Sequence, residues 1–320
     1  MRPFLAILIS SLAATSAAGD IPLALPIDCT LGETCHIQQT VDHDPTSGAS
    51  DFACGLLTYD GHKGTDFALP SLAAQSAGVN VIATAPGTVR GVRDGMPDIL
   101  QITDTAPDVA GKECGNGVVI SHGNGWETQY CHLANGSVAV QNGDRVAIGT
   151  VLGQVGLSGQ TQFPHLHLSV RHDGNVVDPF DPDGVITCGA PSDDMLWSDP
   201  IPVPPGGLIS AGFAANVPDY ADVKAGTASL SELTPSDNLV VWGYVFGGRV
   251  DDDMTLTIDG PDGEIHRQTV TLDRNQSQLF RASGRRAPAA GWAAGRYTGL
   301  IEMFRDGEKI DTITTSVSIR

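Results

Sequence analysis

Three short stretches of this chain carry side chains that could take part in one reaction. The first is Pro164-His165-Leu166-His167-Leu168-Ser169-Val170. Leu166, Leu168 and Val170 alternate with His165, His167 and Ser169, the period of a half-buried strand, so both imidazoles share one face with their Cα atoms about 7 Å apart. His-x-His alone is met as readily in surface strands. The second stretch, Gly61-His62-Lys63-Gly64-Thr65-Asp66, sets a histidine and a carboxylate four apart beside glycines that let the backbone turn. Two imidazole nitrogens and one carboxylate oxygen, with the fourth position left to water, form the donor set of a catalytic zinc site rather than a closed structural one. The third, Tyr130-Cys131-His132-Leu133, ends an apolar strand on another histidine. A histidine beside a metal can take and return protons near neutral pH.

A mostly β fold must position these residues. Residues 79–83 and 87–92 are short β runs punctuated by glycine and proline. Gly117 to Ser121 and Trp126 to His132 flank Asn124-Gly125, a strong hairpin signal that places His132 at a strand end and His122 near the tip as a structural or solvent-facing residue. Turns at Gly143-Asp144 and from Gly153 to Gly159 separate further short runs, and residues 51–190 hold almost nothing that reads as a long helix. Between Arg93 and Cys114 lies an acidic stretch with Asp94, Asp98, Asp104 and Asp108. It reads equally as a solvated loop, with an extra strand over Ile99–Ile102, or as a wall of a substrate groove.

Residues 191–210 collect prolines and Gly206-Gly207, a semi-rigid linker. Beyond it, runs at 239–246, 254–258, 268–272, 297–304 and 312–319 alternate with turns, which predicts a small immunoglobulin-like β-sandwich over residues 211–320. Its expected role is binding, spacing or contact with a protein partner. Trp242, Trp292 and Tyr297 read as core aromatics, with a glycan site as the alternative.

With 18 basic and 37 acidic residues among 320, the formal charge is −19. That argues against nucleic acid and anionic membrane surfaces as partners. Residues 1–18 read as a secretory signal: Arg2, an apolar run from Phe4 to Ala14, then Ser16-Ala17-Ala18. No other segment is apolar enough to insert in a membrane, so the mature protein is expected in the periplasm or the medium. There the six cysteines suit disulfides, Cys114 with Cys131 across the hairpin being the favoured pair. Residues 19–50 read as a polar N-terminal arm that Cys29 and Cys35 pin to a catalytic domain at 51–190. The arm also holds His36 and His43, read as structural histidines rather than switch ligands.

The order of the three motifs resembles the lysostaphin/LytM-type zinc metalloendopeptidases: His-x-x-x-Asp as HKGTD, a strand-borne His-Leu as YCHL, and PHLH. Supporting matches are Ala85 to Val89, Gly117 to Gly125, and Val140 to Gly149, so the resemblance covers roughly residues 55 to 182. It implies an antiparallel β-sheet core crossed by a groove, one Zn²⁺ held by His62, Asp66 and His167, and His132 and His165 as catalytic groups beside the open position. It further implies cleavage of peptidoglycan peptides, in an exported protein most simply as a D,D-endopeptidase. Two departures bear on substrate preference: Phe163 stands where the family often has Gly, and Leu168-Ser169 where Phe-Glu is common. Adaptors that lost their ligands are the alternative of a different class; all five positions are filled here. A secreted protease acting on glycine-rich proteins differs only in substrate.

Overall fold

The computed structural model describes residues 21–102, 106–186, 188 and 194–320. The expected signal at 1–18, Asp104 of the acidic stretch and Pro191 of the expected linker lie outside them. Ten strands make up the first half of the chain: β1 (His36–Gln39), β2 (Thr65–Ala68), β3 (Asn80–Ile82), β4 (Gly87–Arg93), β5 (Asn116–Gly123), β6 (Trp126–Leu133), β7 (Arg145–Val146), β8 (Val151–Gln154), β9 (His165–His172) and β10 (Asn175–Val177). The main sheet runs β1-β2-β9-β6-β5-β4-β7, with β10 also paired to β9, and every pairing in it is antiparallel. Leu166, Leu168 and Val170 enter a core with Val118, Ile120 and Tyr130, which commits the alternate residues of β9 to the opposite face. Because β9 lies between β2 and β6, the three motifs occupy neighbouring strands.

The stretch read as an arm supplies Ile21, Leu23, Ile27 and Ile37 to the same core. Cys29 pairs with Cys35 inside that stretch, so this bridge pins nothing to the rest. The tie is Cys54–Cys188. Cys114–Cys131 forms as expected. Prolines at 191–210 do not mark a free linker over the described residues: Leu196, Trp197 and Ile201 are buried in the first core, and Leu23 forms a parallel bridge with Trp197. Proline reports the absence of a hydrogen-bond ladder, not exposure. No strand forms at Ile99–Ile102. Instead, Asp98 accepts from the amides of Asn135 and Leu157, and Asp94 from that of Gly136, holding an irregular loop in place.

Helices are short: α1 (Leu72–Ser76), capped by Ser71, and α2 (Tyr220–Ala225). Among the described residues no helix is long and apolar enough to cross a membrane. The second half folds as two packed sheets. One is β11 (Gly207–Ala214), β13 (Leu239–Gly248) and β16 (Gln276–Arg285). The other runs β12 (Glu232–Leu233), β18 (Glu308–Ile319), β17 (Gly295–Arg305), β14 (Asp253–Gly260) and β15 (Gly263–Thr271). Phe213, Val241 and Leu279 from the first meet Leu256, Ile301 and Val317 from the second. Trp242 and Tyr297 are buried, and Trp292 packs edge-on to Tyr297. The halves touch where Gln38 on β1 donates to the Ser277 carbonyl and accepts from Gln278, each at 2.9 Å.

Candidate active site

Asp66 on β2 stands directly opposite His167 on β9, and Cys131 on β6 flanks His167 from the other side. His62, on the turn before β2, completes a cluster whose donor atoms all lie within 4.8 Å of one another. Oδ1 of Asp66 is 2.8 Å from Nδ1 of His167 and 3.2 Å from Nε2 of His62, and the two nitrogens are 3.1 Å apart. A Cβ on Gly64 would sit 2.7 Å from Nε2 of His167, so the glycine in this motif is the space the ring occupies.

The outward nitrogens of both rings are engaged. Nδ1–H of His62 donates to the Thr40 carbonyl at 2.6 Å. Nε2–H of His167 donates to Ser169 Oγ at 3.0 Å, and that hydroxyl donates on to the Lys63 carbonyl at 2.9 Å. These partners fix the tautomers, so two nitrogen lone pairs and a carboxylate face one buried point. Such a point calls for positive charge. Burial pushes the Asp66 carboxyl up, but the charge that His62 and His165 carry when protonated, with hydrogen bonds from His167 and His62 in that state, outweighs it and holds the group well below the carboxylate range. Burial likewise pulls His62 down, and Asp66 more than reverses it. The donor set fits a divalent metal of the zinc type.

His132 and His165 stand beside the cluster with ring centroids 4.6 Å apart. Nδ1–H of His132 donates to the Ser158 carbonyl at 2.8 Å. Nδ1–H of His165 is shared between the Phe163 carbonyl at 2.9 Å and Thr161 Oγ1 at 3.0 Å. Each ring thus keeps a free lone pair on Nε2. Burial, reinforced by the neighbouring histidines, keeps both pKa values below the usual imidazole value, most strongly for His132. The backbone of His132 has φ 63°, a left-handed turn at the end of β6 that swings its ring out of strand alternation.

Residues 60–179, which hold all five of these side chains, match the sequence model of peptidase family M23. They form an M23 peptidase domain. Curated relatives of this M23 domain include the DD-carboxypeptidase/endopeptidase Mpg of Neisseria meningitidis, 36% identical over 146 residues, covering 45% of this chain and 26% of the relative. The peptidoglycan DD-endopeptidase ShyA of Vibrio cholerae is 29% identical over 134 residues, covering 42% and 26%. The chain thus spans about a quarter of the length of the curated relatives it matches. Among solved structures, the catalytic domain of the prophage-encoded M23 protein EnpA from Enterococcus faecalis is 26% identical, with a TM-score of 0.30, covering 45% of this chain and 89% of that one.

Asp66, His132, His165 and His167 line a groove of about 660 Å³. Ile102, within the acidic loop, lines it, so that loop is both irregular and a wall. Tyr59, its ring 4.6 Å from His62, lines the groove as well and belongs to no motif. His36 and His43 stand apart from the cluster: His36 pairs with Gln38, and His43 with Asp178 at 2.8 Å. His122 is structural, bridging the Pro86 carbonyl and Thr128. Thr40, Ser158, Thr161 and Ser169 orient the histidines. Three of these four act through a backbone carbonyl or a single hydroxyl that no motif marks.

Proposed function

We propose that this chain is an exported zinc endopeptidase that hydrolyses peptide crosslinks of peptidoglycan. The observation that carries the reading is the convergence of His62 Nε2, His167 Nδ1 and Asp66 Oδ1, with both outer ring nitrogens already committed to Thr40 and Ser169. His62, Asp66 and His167 are the zinc ligands in this reading. Bound there, Zn²⁺ would polarise the scissile carbonyl and lower the pKa of water toward about 7. His132 and His165 present their Nε2 lone pairs to the same groove. One would take the proton of the attacking water and return it to the leaving amine; the other, after taking up a proton from solvent at Nε2, would donate a hydrogen bond to the developing oxyanion.

Substrate class is inferred from relatives named as DD-endopeptidases. Three disulfides, with no free cysteine among the described residues, support an oxidising compartment. The test is digestion of purified sacculi with and without a zinc chelator, read by mass spectrometry of the fragments. Chelator-sensitive loss of crosslinked dimers, giving monomers with intact stems, is the expected result. Unchanged dimers from protein with zinc bound would sink the crosslink-hydrolase reading and leave a masked site, a protein substrate or the adaptor role.

A further inference from the structure

The groove is not built by the M23 domain alone. Tyr220 and Lys224 of α2, with Gln276, Ser277 and Gln278 at the start of β16, line it opposite the histidines. From this we propose that the C-terminal sandwich is the substrate-recognition wall of the active site, and that Lys224 anchors a carboxylate of the bound peptide. The inference rests on the peptide-hydrolase reading above for its substrate, and on four observations for its geometry.

The wall is fixed in place. Gln278 is held by Tyr244, whose hydroxyl donates to Oε1 at 2.7 Å, and by its bond to Gln38 on β1. Lys224 is aimed rather than free: Nζ sits 4.9 Å above the Tyr220 ring, and that ring stacks on Phe280. Among the described residues lining the groove Lys224 is the one cation. In a chain carrying 37 acidic residues, no ion pair found among the described residues engages it. Oε1 of Gln276, another lining residue, is buried without a hydrogen-bond partner, a spare acceptor within the wall. Finally, an apolar cavity of about 110 Å³ shares Lys224 with the groove and is walled by Leu72, Ile102, Phe163 and Tyr244. A cation beside a small apolar cavity suits a residue with a short apolar side chain next to a carboxylate, above all a chain terminus.

The experiment uses one crosslinked peptide made in two forms, with a free terminal carboxylate and with a terminal amide, the side-chain carboxylates being kept in both. Steady-state cleavage is measured for the full-length protein, Lys224→Ala and Lys224→Arg, all with matching melting temperatures. On the acid form, Lys224→Ala is expected to raise KM about tenfold or more, as befits a lost charge-assisted contact, with a smaller change in kcat, and Lys224→Arg to recover most of the loss. Loss of discrimination between the two forms places the anchored group at the terminus; an equal rise in KM on both places it on a side chain. An active protein whose KM ignores Lys224→Ala on both forms overturns the inference and leaves the hydrolase reading standing. If the unmodified protein cleaves neither form, calorimetric binding of the acid form decides. Binding that depends on Lys224 keeps the wall and removes the hydrolase reading, and no binding removes both.

Discussion

Ser169 Oγ lies 3.0 Å from Nε2 of His167 and donates in turn to the carbonyl of Lys63, the residue after His62. One hydroxyl therefore sets the tautomer of a candidate ligand and ties β9 to the loop that carries another. Outer partners of this kind are worth about 10- to 100-fold in metal affinity. Ser169→Ala is expected to weaken zinc binding by that factor with the fold intact, measured by competition with a chromogenic chelator at neutral pH. An unaltered affinity would mean that the ring is oriented by packing alone.

Gly64 tests the same ring from below. Its missing side chain is the room His167 uses, since a Cβ there would also lie 2.5 Å from the Leu168 carbonyl. Gly64→Ala is expected to displace the ring or the backbone of β9, cutting bound zinc and lowering peptidase activity about 100-fold, the cost of a misplacement near 1 Å. Metal content by elemental analysis and cleavage rate together check this; a variant that keeps full zinc and full rate contradicts the packing described.

His36 gives the folded state a pH limit of its own. Burial lowers its pKa to about 4, only partly opposed by the hydrogen bond with Gln38. A base whose folded pKa lies below its unfolded value near 6.5 binds fewer protons when folded, so stability is full above about pH 6.5 and is lost as pH falls toward 4, on the order of 3 kcal/mol in all. Urea unfolding of the native chain and of His36→Gln between pH 7 and 4.5 should show a shallower pH dependence in the variant. Parallel curves would assign the acid loss to other groups.

Two of the disulfides differ sharply in the loops they close: Cys54–Cys188 spans 134 residues and Cys29–Cys35 spans 6. Loop-closure entropy makes the long bridge the more stabilising, by roughly 2–3 kcal/mol on the chain-entropy model. Replacing Cys54 and Cys188 by serine should therefore lower the urea midpoint more than replacing Cys29 and Cys35. The reverse order would show that the local loop carries structure the unfolded chain cannot keep.

The convergence of His62, Asp66 and His167 was legible in the sequence because a metal site would need such side chains, and strand alternation fixes which face His165 and His167 share. The hairpin pairing of Cys114 with Cys131 followed from Asn124-Gly125 in the same way. The rest was hidden for physical reasons. Thr40 and Ser158 contribute carbonyl groups, which any residue owns. Lys224 and Gln276 reach the groove only through the packing of two halves distant in sequence. Strand β16, reading QSQLFRASGR, shows no clean apolar alternation because only Leu279 and Ser283 are fully buried in it. In residues 194–202 the prolines drew attention from Leu196, Trp197 and Ile201, whose burial depends on partners at the other end of the domain.

The bridge between Leu23 and Trp197 also sets an order of events in time. As the chain is synthesised, Leu23 waits for Trp197 and Cys54 for Cys188, while β2 has no neighbour on its inner side until β9 exists. Closure by such distant contacts is slow. Until β9 is made, His62 and Asp66 exist without His167, so the candidate metal cluster cannot close before about half of the chain has been synthesised. A chain cut short before Leu166 holds only two of the three donors.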